Sequence, residues 1–182
     1  MRPAAVERSD AACEECRFGW AADACATIDA LRSLPSRYEA LLTAEAEAGR
    51  AARLRTRPEP HVWSQLEYAA HTRDAIAWYA ERIARVLRED RPALSAFDWD
   101  AACDERRYAD EDPTAVALAL TRASENLADR LEGLDDDGWS RVGVGSDGGE
   151  RTVLVLARRA VHESVHHLYD IRLQAAGREA SR

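Results

Sequence analysis

The sequence predicts an all-α fold: a four-helix bundle with a long connection between its second and third helices. Three observations predict it. Four long stretches repeat apolar residues at helical spacing. Strand signals are scarce, and the alternation that marks a half-buried strand is nearly absent. The connection between the second and third stretches, Glu89 to Asp112, is long and suggests a crossover instead of a simple up-and-down hairpin.

The elements follow in chain order. Residues 1–18 read as a loose arm carrying Cys13-x-x-Cys16, with Ser9-Asp10 as a possible helix cap. Residues 19–177 read as a single helical domain and 178–182 as a frayed tail. The first helix starts between Trp20 and Asp23 and is marked by Ile28, Leu31, Leu34, Tyr38, Leu41 and Leu42. Pro35 falls inside this pattern and should kink or break it, because it lacks a backbone donor and clashes one turn back. Gly49 to Arg57 reads as a loop, and Pro58-Glu59-Pro60 as a breaker.

The second helix spans Val62 to Arg88, with Trp63, Leu66, Ala70, Trp78, Ile83 and Val86 on its stripe. Glu67, His71 and Asp74 lie along one edge of that stripe, and polar groups so placed need partners. The connection to Asp112 holds a short helix near 98–105, and a connection of this length tends to be functional or to cover a site. Asp112-Pro113-Thr114 opens the third helix, which runs to Leu134. The glycine-rich segment 135–150 has room for a hairpin around Val142 and Val144 but for no real sheet. The fourth helix runs from Val153 to Gly177.

Composition narrows the function. The chain has 182 residues, enough for one domain with a sizeable core. A formal net charge of -8, from 33 acidic and 25 basic residues, argues against a nucleic-acid partner. No apolar run has membrane-spanning length, and the first ten residues lack a signal-peptide core, so a cytoplasmic location is expected. Every basic residue is Arg, which excludes a Schiff-base or P-loop lysine. In a reducing compartment Cys13, Cys16, Cys25 and Cys103 are expected to be free thiols. Cys13-Glu-Glu-Cys16 has the spacing of half a zinc site or a redox pair, but no second such cysteine pair exists.

The chemistry concentrates in His162-Glu163-Ser164-Val165-His166-His167. Residues four apart on a helix share a face, so His162 and His166 can aim two imidazoles at one metal ion. His71, on the second helix, is the best third ligand. Read literally, the stretch is also H-E-x-x-H, with Glu163 as general base of a zinc hydrolase. Position 172, where a longer form of that motif has another histidine, is Arg172, so this is a minor alternative.

A tryptophan-led helix with a central histidine, Trp63 to Asp74, followed much later by His162-x-x-x-His166, resembles the DinB/YfiT-like family. That family is related to the metal-binding domain of mycothiol-dependent maleylpyruvate isomerases. The resemblance runs from Ala21 to Gln174 and implies a four-helix bundle holding a divalent metal. It implies one histidine ligand from the second helix and two ligands four apart on the fourth, here His71, His162 and His166. The isomerases carry Glu at the position matched to His162, so the chain reads as an all-histidine variety. Cys13 and Cys16 lie outside the family pattern.

The resemblance further implies a transferase or isomerase that uses a low-molecular-weight thiol such as mycothiol on a small molecule. Zinc or nickel is the expected ion, and metal-bound water or thiolate the expected nucleophile. Glu163 and Glu67 are candidate acid–base residues. Asp74 and Asp170 are candidates to orient ligands, and His167 reads as a hydrogen-bonding neighbour. A monomer or homodimer is expected. The alternative is a noncatalytic metal-binding or sensing bundle, which would close its coordination shell instead of leaving a position open.

Overall fold

The computed structural model describes residues 12–47 and 51–179. Ser9-Asp10, Gly49 and the last three residues lie outside this part. Four long helices, α1 (Ala24–Glu47), α3 (Gln65–Arg88), α5 (Pro113–Glu132) and α7 (Val153–Glu179), form the bundle. Short elements occupy the connections: α2 (Ala51–Leu54), β1 (Ala93–Leu94), α4 (Trp99–Glu105), a 3-10 turn (Tyr108–Asp110), α6 (Asp136–Ser140), β2 (Val142–Gly145) and β3 (Glu150–Thr152).

Local sequence sets the helix starts. Asp23, Asp98, Asp112 and Asp135 each accept a hydrogen bond from the amide three residues on, which satisfies a donor that the first turn leaves orphaned. Thr152 does the same for Val155 at the start of α7. Ser64 and Glu67 form a reciprocal capping box, so α3 begins at Gln65 and not at Val62. Pro35 does not break α1, which runs through it as one helix. Leu31, Leu34, Tyr38 and Leu42 are buried on both sides of the proline, and that packing outweighs one lost hydrogen bond. The expected loop before Arg57 contains the helical turn α2, whose Leu54 is buried.

The packing order follows from contacts. α1 lies against α5 and α7, and α3 lies against those same two helices. The sequential pairs α1/α3 and α5/α7 are therefore diagonal, and α3 neighbours α5. Arg32 near the start of α1 pairs with Asp129 and Glu132 at the end of α5, so these helices are antiparallel. Arg73 near the start of α3 pairs with Glu111 just before α5, while β1 after α3 pairs with β2 after α5. α3 and α5 are thus parallel, and the connection from 89 to 112 is the crossover the sequence suggested.

The glycine-rich segment departs from expectation. β2 and β3 pair antiparallel, and β1 adds a parallel strand, which makes a small three-stranded sheet. Two-residue β1 carries no alternation to read, so only the tertiary pairing reveals it. Gly143 lets this sheet approach α3: a Cβ there would meet Leu94 at 2.7 Å and Val86 at 2.9 Å.

The core fills the bundle axis with Leu31 and Leu34 from α1, Leu66, Ile76 and Ile83 from α3, and Leu120, Leu127 and Leu131 from α5. Leu168 and Ile171 complete it from α7. Each buried leucine or isoleucine contributes about 1.5–3 kcal/mol. Among the described residues no helix is long and apolar enough to cross a membrane.

Candidate metal centre

Helical phase decides what α7 presents to its neighbours. Successive residues are offset by about 100°. Leu156, Ala157, Ala160, Val161, Ser164, Leu168 and Ile171 are buried, and Ser164 sits on the centre line of that stripe. Glu163 and His167 fall on its flank, on the side of α3. His162 and His166 fall about 160° from the stripe, on the outer face of the helix.

The structure therefore divides the three expected ligands between two clusters. His71, Glu163 and His167 form one, with ligand atoms all within 4.8 Å of one another. His162 and His166 form the other, with Cys13 and Cys16, within the same distance. Both 162/166 and 163/167 satisfy the four-residue spacing, so spacing alone does not choose between them. The apolar stripe was the sequence signal that could have chosen, because its centre line selects the 163/167 pair.

Three elements position the first cluster. Tyr38 on α1 shares a hydrogen bond with Thr72 at 2.9 Å and donates one to the Ser164 carbonyl at 2.7 Å. It thereby ties α1 to the immediate neighbours of His71 and Glu163. From α4, Trp99 meets His71 edge-on with ring centroids 4.7 Å apart. Trp63 lies 4.9 Å from His71, and Tyr68 stacks on His167 at 4.9 Å. The long connection thus covers the His71 side of the cluster, while the Glu163 side chain stays about a third exposed.

His71 is 1% exposed, and both of its ring nitrogens are buried without a hydrogen-bond partner. Its Nε2 is 3.5 Å from Glu163 Oε1, and His167 Nε2 is 3.7 Å from the same oxygen. Burial holds the His71 pKa below the ordinary 6.5, so the ring is neutral with a lone pair to offer. Burial opposes ionisation of Glu163, yet His167 and His71 overcome it and hold its pKa well down. His167 Nδ1 lies 2.9 Å from Asp170 Oδ2. A carboxylate only accepts, so Nδ1 carries the proton and Nε2 is left facing Glu163. Burial works against charge on His167, but Asp170 and Glu163 raise its pKa.

This donor set fits a divalent metal. Two imidazole nitrogens and one carboxylate oxygen suit zinc, nickel or iron, and an orphaned buried imidazole is costly without such a partner. Asp170 supplies the outer carboxylate that commonly orients a ligating histidine, though it orients His167 and not His166.

The other sequence candidates have structural fates. Glu67 is 4% exposed and is held by Arg57 at 2.7 Å and by the Ser64 amide at 2.7 Å. Its carboxylate is engaged in the cap of α3, away from the His71 cluster. Asp74 pairs with Arg73 at 2.7 Å, with Arg106 and with the Tyr108 hydroxyl at 2.7 Å, so it anchors the crossover connection and does not orient a ligand. The H-E-x-x-H pattern is split, since Glu163 turns to α3 while its two histidines turn to the N-terminal segment. Cys25 is exposed and Cys103 buried, and both are free.

Residues 12–18, expected as a loose arm, pack on the outer face of α7. Phe18 and Trp20 have ring centroids 5.5 and 4.7 Å from His162. The neighbouring histidines, His162 most, lower the Cys13 pKa to about 6, whereas burial raises that of Cys16.

Comparison with known proteins agrees with this architecture. The solved structure of YfiT from Bacillus subtilis is described as a probable metal-dependent hydrolase with an unusual four-helix bundle topology. It matches with a TM-score of 0.76 at 20% sequence identity, covering 86% of this chain and 87% of that chain. Among curated proteins none matches this sequence. The DinB superfamily model matches residues 29–171, from α1 nearly to the end of α7, and the chain belongs to that superfamily.

Proposed function

We propose that this chain is a divalent-metal-dependent enzyme acting on a small anionic substrate, with His71, Glu163 and His167 holding the ion. The observation that carries this reading is the buried His71, whose two ring nitrogens have no hydrogen-bond partner and whose Nε2 lies 3.5 Å from the Glu163 carboxylate. Three protein donors leave a coordination position open, which is the arrangement of catalytic and not structural sites. The chemistry such an ion supplies is activation of a water or a thiol as a nucleophile near neutral pH.

The chain's own residues do the rest. Asp170 fixes the proton of His167 on Nδ1. Trp63, Trp99 and Tyr68 pack around His71 and His167 and lower the local dielectric on that side, which strengthens charge interactions there. The carboxylate among the ligands matches the variety that resembles the thiol-dependent isomerases, with Glu163 in place of His162. That supports a low-molecular-weight thiol as cosubstrate in a transfer or isomerisation.

The substrate class comes from a neighbouring cavity of about 220 Å³ between α3 and α7. Arg159 and Leu156, which line it, lie one and two turns before Glu163 on α7. Arg82 also lines it, is only 9% exposed, and stacks over Trp78 at 3.5 Å. Its Nε is buried without a hydrogen-bond partner. A buried guanidinium calls for an anion, and a carboxylate is its best planar match.

The test is a turnover screen of zinc- and nickel-loaded, untagged protein against unsaturated carboxylates, with and without a small thiol. Thiol-dependent turnover that falls at least about 100-fold in Glu163→Gln is expected, since even outer partners of metal ligands cost 10–100-fold. Turnover of esters without thiol would instead favour the hydrolase that YfiT is described as. Full metal loading with no turnover of either kind would leave the noncatalytic reading.

A further inference from the structure

We infer that Cys13, Cys16, His162 and His166 form a second, closed metal site that takes one zinc ion and staples residues 13–20 to the outer face of α7. The ligand atoms of these four residues all lie within 4.8 Å of one another. Cys-x-x-Cys and His-x-x-x-His are the two standard halves of a Cys2His2 zinc site. Here they stand far apart in sequence, so each half looks incomplete until the fold joins them.

The local geometry is built for ligation. The Arg17 amide donates to the Cys13 carbonyl at 3.0 Å, and the Cys13 amide donates to the Phe18 carbonyl at 2.9 Å. Arg17 has a φ of 61°, a left-handed conformation that closes the turn, and the two thiols lie together with the histidine nitrogens. Cys13 Sγ is 3.7 Å from His166 Nδ1. Glu15 Oε2 is 3.1 Å from His166 Nε2, so the carboxylate holds the ring proton there and leaves the Nδ1 lone pair towards the sulfur. His162 Nε2 is buried with no hydrogen-bond partner, behind the rings of Phe18 and Trp20.

The donor set identifies the ion class. Soft sulfur donors select zinc over magnesium or calcium, and two thiolates neutralise the dication. Four protein donors close a tetrahedral shell, so this site is structural, in contrast to the three-donor cluster on the α3 side. Ligation displaces the thiol protons to solvent. α7 therefore carries two metal sites on different faces, interleaved along the same helical turns. The inference stands on the Cys2His2 cluster alone and does not require the His71 cluster to be catalytic.

The experiment is cobalt(II) reconstitution of the full, untagged, reduced chain, read by elemental analysis and by thiolate-to-cobalt charge-transfer absorption. Two equivalents with a thiolate band are expected in the wild type. Glu163→Gln should lose one equivalent and keep the band. The double variant Cys13→Ser/Cys16→Ser should lose the band and keep one equivalent, and His162→Ala/His166→Ala should lose or greatly weaken it. In zinc-free wild type, hydrogen exchange should rise over residues 12–22 more than over α3. Cobalt bound to the wild type without a thiolate band would overturn the site. So would a band of full strength in His162→Ala/His166→Ala. Because the Glu163→Gln arm retains all four donors, failure of the His71 cluster and failure of this site give different results.

Discussion

The two carboxylates nearest His71 on α3 are engaged by arginines, while Glu163, across on α7, faces His71 and His167. Glu67→Gln removes a charged acceptor shared by Arg57 and the Ser64 amide. It should lower stability by about 1–3 kcal/mol, the range for hydrogen bonds to charged groups, and urea unfolding reads it. Metal content should be unchanged, and a lost equivalent would return Glu67 to the site. Asp170→Asn keeps the shape but weakens the partner that fixes the His167 tautomer. Affinity for the ion proposed at the His71 cluster should fall about 10–100-fold in competition with a chromophoric chelator. An unchanged affinity would show that Asp170 does not act through His167.

At the scale of elements, the bundle's small sheet is fastened to α3 by a close approach. Gly143 sits where any side chain would press on Leu94 and Val86. Gly143→Ala should cost about 1–3 kcal/mol, as overpacking does, and thermal unfolding measures it. An unshifted Tm would mean that β1 and β2 adapt freely. The cavity beside this sheet belongs to the same scale, because α3 and α7 build it together. Arg82→Gln should weaken binding of a dicarboxylate about 10-fold, or about 1.4 kcal/mol by calorimetry. Equal affinity in both proteins would remove Arg82 from substrate recognition.

For the whole molecule, acid stability follows from buried carboxylates. Burial alone would raise the pKa of Glu67 and Asp74, but Arg57 and Arg73, with their other partners, lower both below the ordinary 4.5 and 3.8. A folded pKa below the unfolded one means that the unfolded chain binds more protons in that window. The stabilisation is fully present above about pH 5 and is lost as pH falls through the folded values. Chemical denaturation from pH 6 downwards should show falling stability in the wild type and a flatter profile in Glu67→Gln. Identical slopes would assign the acid sensitivity to other groups.

The sequence by itself determined the helices, because their causes are local. Period, caps such as Asp112 before Pro113, and breakers such as Pro58 and Pro60 act over a few residues. It also pointed to the stretch where candidate ligands concentrate, 162–167 with His71, but it picked His162 and His166 over Glu163 and His167 and left Cys13 and Cys16 outside the pattern. The tertiary structure alone decided how they group. A shift of one residue turns a helix face by about 100°, and α7 carries two overlapping four-residue pairs. Packing of Ser164, Leu168 and Ile171 against the core set the rotation. That rotation sent Glu163 and His167 to His71 on α3, and His162 and His166 to the cysteines of the N-terminal segment.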